Sequence, residues 1–215
     1  MVALLKANGD RWNCGGTLVA SKYVITAAHC LPGGVSPSDI KAGQKTQNFF
    51  SKNNIIVQIK LGDHDFASTG EGSLTEMTID VTSFTNHENY AGSPTWDYDI
   101  AIIELAQEVD LTIYTPACMA KASDTTTFDG KNALVYGETV VLLSLITVIM
   151  MSGQGWGRTS DGGTLSEVLL EVEVPVVTNA QCQTTMTGEN WDSMICAGGL
   201  AGKDACSVND INKYY

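Results

Sequence analysis

His29 lies in Thr26-Ala27-Ala28-His29-Cys30, directly beside a cysteine and after the β-branched, apolar run Tyr23-Val24-Ile25. Imidazole titrates near neutrality, so a histidine on rigid backbone is suited to take up and return a proton. Cys14 stands sixteen residues before Cys30, in Trp12-Asn13-Cys14-Gly15-Gly16-Thr17-Leu18. A disulfide between Cys14 and Cys30 would fix the backbone that carries His29. The second candidate is Asp99, at the head of the apolar stretch Ile100-Ala101-Ile102-Ile103. Such a strand draws the carboxylate inward, where it needs hydrogen-bond donors or a cation. An imidazole N–H meets that need, and the pair would orient the ring and stabilise its protonated form during proton transfer. Taken singly, each residue also has a plainer role: a histidine in a β protein is often structural, and Asp99 could be a turn residue capping its strand.

The elements that must hold these groups are short. Apolar or alternating runs recur at 17–26, 55–62, 77–84, 100–105, 132–137 and 168–177, punctuated by turn residues such as Pro32-Gly33-Gly34 and Asp161-Gly162-Gly163. This pattern predicts an all-β sandwich or barrel, with one short helix near 178–186 capped by Thr178. At 215 residues there is material for one sizeable domain or two small ones. A formal charge of −12 excludes the Lys and Arg clusters that a phosphate backbone demands, so no nucleic-acid partner is expected. It equally disfavours an anionic membrane surface. Six cysteines, at 14, 30, 118, 182, 196 and 206, include no Cys-x-x-Cys pair and suit disulfides in an oxidising compartment better than zinc. No secretory signal is visible, because Lys6 ends the apolar run of Met1-Val2-Ala3-Leu4-Leu5 at once.

Six ordered motifs then carry a resemblance. Cys-Gly-Gly-Thr-Leu at 14–18, Thr-Ala-Ala-His-Cys at 26–30, Asp-Ile-Ala-Ile-Ile at 99–103, Gly155-Trp156-Gly157-Arg158-Thr159, Met194-Ile195-Cys196-Ala197-Gly198 and Lys203-Asp204-Ala205-Cys206 follow one another along nearly the whole chain. Together they resemble the trypsin/chymotrypsin family of serine endopeptidases. The resemblance implies two antiparallel six-stranded β-barrels with a cleft between them, the first barrel over 1–113 and the second over 114–215. It implies that His29 is the general base, Asp99 its orienting carboxylate and Asp204 the acid at the base of the primary specificity pocket. A carboxylate there would bind a cationic Arg or Lys side chain by a charge-assisted contact. Cys14 with Cys30 and Cys182 with Cys196 look like family disulfides, each closing a loop of about 15 residues worth roughly 3 kcal/mol. The implied setting is secreted or digestive, for a monomer that meets a polypeptide substrate or inhibitor, with no membrane.

The chain also departs from the family pattern. The nucleophilic serine is expected six residues after the pocket aspartate, and that position holds Asp210 in Asp204-Ala205-Cys206-Ser207-Val208-Asn209-Asp210. Val208 replaces the oxyanion-hole glycine, and Asn209 an aspartate that pairs with the processed amino terminus. The second barrel is therefore expected to be incomplete, with a non-family tail over 207–215, and the chain as written to be inactive. Cys118 and Cys206 are left without family partners. Met1–Leu5 resembles an interior strand of the family, so the resemblance leads us to expect the amino-terminal activation site to be missing from this chain as well. From Val140 to Met151 the chain reads VVLLSLITVIMM, which is too short for a bilayer-spanning helix of about 20 residues. Removing 138–155 would join Val135-Tyr136-Gly137 to Trp156-Gly157 and restore a family-like Val-x-Gly-Trp-Gly. The expectation is that 138–155 and the tail are translated non-coding sequence, and that the open second barrel exposes strand edges. The alternative function is a non-catalytic homologue acting as a binding or regulatory module. Some family members bind calcium in the loop matching Leu61-Gly62-Asp63-His64-Asp65. Asp63, Asp65, Glu71 and Glu76 could supply oxygen ligands there, or could be solvated loop carboxylates. No other cofactor is expected.

Overall fold

The computed structural model describes residues 1–6, 8–31, 56–70, 74–119, 132–136, 139–141, 152–160, 163–185, 194 and 196–197. Ten strands are defined in chain order: β1 (Val2–Lys6), β2 (Arg11–Ala20), β3 (Tyr23–Thr26), β4 (Ile56–Leu61), β5 (Met77–Asn86), β6 (Ala101–Leu105), β7 (Asn132–Tyr136), β8 (Thr139–Val141), β9 (Ser152–Gly155) and β10 (Leu170–Pro175). A 3₁₀ turn, Ala28–Cys30, follows β3, and helix α1 spans Asn179–Thr185. Among the described residues the chain is all-β with very little helix. The predicted strand over 17–26 divides at Ser21-Lys22, where the chain reverses and β3 pairs back onto β2. Near its amino terminus α1 is capped as expected, with the Gln181 backbone N–H donating to Thr178 Oγ1 at 3.1 Å.

The first six strands close into an antiparallel barrel in the order β1-β2-β3-β6-β5-β4. Closure leaves this sheet without an open edge. Alternation fills the interior: Ala101, Ile103 and Leu105 of β6 point inward, whereas Ile102 is exposed. In β5 the inward set is Ile79, Val81 and then Phe84. A register shift between Val81 and Ser83 inserts the extra residue that changes the phase of the alternation. Val2, Leu4, Val24, Ile56 and Ile59 complete a dry centre. Gly16 lies where β2 meets β1 and β3, and a Cβ there would come within 2.7 Å of Val24 Cγ1.

The remaining strands form a four-stranded sheet in the order β10-β9-β7-β8, with β10 also pairing with β7. Here β8 and β9, both within 138–155, are hydrogen-bonded to β7 and β10 respectively. The loop after β4 links the two sheets. Phe66 N–H donates to Glu167 O at 3.0 Å, and Leu169 N–H donates to His64 O at 2.7 Å. Trp156 Nε1–H donates to the same His64 carbonyl at 3.1 Å, and its ring meets Phe66 edge-on at 5.1 Å.

Candidate active site

β3 delivers the chain to the 3₁₀ turn that carries His29, and the segment before β6 delivers Asp99. Because β3 and β6 pair antiparallel with Thr26 opposite Ala101, the end of one lies beside the start of the other. Thr26 is wholly buried and its hydroxyl donates to Gly15 O at 2.8 Å, which ties this corner to β2. The Cys14–Cys30 disulfide makes a second tie one residue beyond His29. Backbone bonds from Cys30 to Ala27 and from Leu31 to Ala28 close the turn. His29 is thus held between fixed points while its ring remains about one-third exposed.

Asp99 grips His29 twice. Oδ1 accepts the backbone N–H of His29 at 2.8 Å, and Oδ2 lies 2.5 Å from Nδ1. A carboxylate can only accept, so Nδ1 must carry the proton and the lone pair of the neutral ring resides on Nε2. Nε2 lies 3.6 Å from Cys30 Sγ. Such an arrangement is suited to general-base chemistry: the tautomer is oriented, and positive charge developing on the ring would face a fixed carboxylate. Burial, aided by the negative charge of Asp99, pushes the Tyr90 hydroxyl above its ordinary pKa. Cys14, His29 and Cys30 also crowd together, but both sulfurs are spent in the disulfide and offer no thiolate to a metal.

This geometry agrees with the comparisons to known proteins, in which the Trypsin family model matches residues 1–141 and 147–209. The chain belongs to the trypsin family. It is 32% identical over 199 residues to Brachyurin of Leptuca pugilator, covering 92% of this chain and 68% of that protein. To Trypsin of Xenopus laevis it is 31% identical over 200 residues, covering 90% and 61%. To the Clotting factor G beta subunit of Tachypleus tridentatus it is 28% identical over 216 residues, covering 96% and 58%. The chain therefore spans little more than half the length of some of the curated relatives it matches.

In trypsin-family terms the structure brings together His29 and Asp99, and it closes Cys14–Cys30 and Cys182–Cys196. Cys118 is exposed and is a free thiol. Asp63 and Asp65 lie in the loop following β4, where Asp65 bridges Val168, and Glu76 lies at the entry to β5. Asp204, Asp210, Glu71 and Cys206 fall outside the described residues, as do 142–150 and the tail over 207–215. Among the described residues, no helix is long and apolar enough to cross a membrane.

Two aromatic residues beside the site escaped the sequence reading. Trp96 and Tyr98 both adopt positive φ, 55° and 54°, a conformation costly for bulky side chains. The Trp96 ring meets His29 edge-on at 5.7 Å, and Tyr98 stacks on His87 at 4.8 Å. Trp96 N–H donates to Gly92 O at 2.8 Å, which holds the bend that places the indole next to the imidazole. The available signal was the aromatic density of Trp96-Asp97-Tyr98 ahead of Asp99. Backbone strain, however, leaves no mark in residue type.

Proposed function

We propose that this sequence represents a secreted serine-type endopeptidase that cleaves after Arg or Lys, and that the chain of 215 residues is itself inactive. The observation that carries the reading is the double grip of Asp99 on His29 at the mouth of a closed barrel. In the reaction, His29 Nε2 would take the proton of a serine hydroxyl as it attacks a peptide carbonyl. It would then return that proton to the leaving amine, leaving an acyl-enzyme for water to cleave. The sheet of β7 to β10 is read as part of a second, incomplete barrel that forms the other wall of a cleft. Asp204 is assigned to the base of the specificity pocket, where its charge would select a cationic side chain.

In this chain the step has no nucleophile at the family position, which holds Asp210. Members of a catalytic triad act as a unit, so loss of the serine removes about a million-fold of rate, nearly the whole contribution of the set. The test is hydrolysis of an arginyl ester by the purified chain, with and without a serine-directed reagent. No turnover above solvent is expected; reagent-sensitive turnover would overturn the assignment of inactivity. Asp210 also favours a second reading, a non-catalytic homologue that binds a polypeptide. Capture of an arginine-containing peptide without cleavage, abolished by Asp204→Ala, would select it.

A further inference from the structure

Just past β4, Gly62 turns the chain at φ +78°, where a Cβ would lie 2.7 Å from Thr75 O. The turn drives Asp63 inward, and its side chain is entirely buried. Oδ1 of Asp63 has no hydrogen-bond partner among the described residues, while Oδ2 meets the Lys60 ammonium. Glu76 completes the group from the chain entering β5: Oε2 lies 2.8 Å from Lys60 Nζ, and Oε1 accepts the backbone N–H of Gly70 at 3.0 Å. One ammonium thus faces two carboxylates, at the place where the family resemblance would put a calcium ion. The residues do not fit that ion as they stand. A divalent cation between Asp63 and Glu76 would lie against Lys60 Nζ, and like charges so close repel strongly in a partly buried site.

We propose that the Lys60 ammonium is the resident cation of this loop, shared by Asp63 and Glu76 in place of a divalent metal ion. Burial of Lys60 opposes its charge, but the hydrogen bonds and attraction from Asp63 and Glu76 outweigh it and raise its pKa. The ammonium therefore stays charged across the physiological range. The same loop links the two sheets. Lys60 Nζ lies 5.3 Å from the centre of the Phe66 ring, and Arg11 covers that ring at 4.7 Å. Phe66 in turn contacts Trp156, and its backbone bonds Glu167. The internal cation thus sets the shape of the contact between the barrel and the second sheet without any metal. Removing its charge should leave a carboxylate pair that recruits a divalent cation.

Equilibrium dialysis against calcium tests this with the full chain, its D63N variant, K60M and the double variant K60M/D63N. The wild-type chain and D63N are expected to take up the same amount of calcium. K60M is expected to gain one further equivalent with Kd of about 0.1–1 mM, the range of weak oxygen-ligand sites. That equivalent should vanish in K60M/D63N. Calcium should also raise the thermal midpoint of K60M but not that of the wild type. An equivalent bound by the wild type and lost in D63N would overturn the proposal, as would a folded K60M that gains none. Should K60M fail to fold, the comparison of wild type with D63N still decides, and K60R, which keeps the charge, should match the wild type.

Discussion

Replacing both Cys14 and Cys30 with alanine tests whether the corner bearing His29 depends on its covalent tie. The disulfide joins residues 16 apart. For a loop of that length the chain-entropy model assigns about 3 kcal/mol, through restriction of the unfolded chain. Cys30 is almost wholly buried, so its truncation adds a small cavity cost on the same side. In a chain of this size 1 kcal/mol moves the thermal midpoint by about 2–4 °C, so a fall of about 6–12 °C is expected. Circular dichroism of the oxidised wild type and of C14A/C30A measures it. Reduction opens Cys14–Cys30 in the wild type and Cys182–Cys196 in both proteins, so their midpoints should converge in reductant to within the small cavity cost of the alanines. A fall below about 2 °C under oxidising conditions would refute the reasoning, because no restriction of the unfolded chain would then have been lost. Convergence failing in reductant would instead place the effect in native packing around Cys30.

Gly16→Ala should cost about 1–3 kcal/mol by overpacking, since the new methyl would press on Val24 Cγ1 at 2.7 Å and Ile25 O at 3.1 Å; denaturant titration reads the loss. Arg11→Ala should cost about 1–3 kcal/mol by removing the 2.9 Å bond to Ser166 O and the stacking on Phe66. Glu167→Ala should change little, because its 3.8 Å ion pair with Arg11 is made by a carboxylate that is more than half exposed. Lys60 predicts a pH dependence at the alkaline end. Its folded pKa is raised, so its contribution is complete below the ordinary lysine value of about 10.4 and is lost as pH rises through the folded value. Unfolding midpoints in chelator should therefore fall more steeply above about pH 10 for the wild type than for K60M; parallel curves would contradict the ion pairing.

Much of this molecule was legible in residue order. Apolar or alternating runs at 55–62, 77–84, 100–105 and 168–177 announced β4, β5, β6 and β10, because a strand exposes every second residue to the same environment. Thr178 announced α1 because its hydroxyl satisfies a backbone donor that the helix leaves open. His29 and Asp99 were legible as motif residues, since proton transfer restricts which residue types can serve. Alternation by itself left sandwich and barrel open, and six-stranded closure was expected only through the family resemblance, because it depends on β1 finding β4 across fifty residues or more. The sequence alone could not show that both oxygens of Asp99 turn to the same histidine, a result of the antiparallel register of β3 and β6. The carboxylates after β4 left two readings open, calcium ligands or solvated loop carboxylates, and folding places Lys60 between Asp63 and Glu76. One-dimensional order records which charges are present, whereas only packing in three dimensions decides which charges meet.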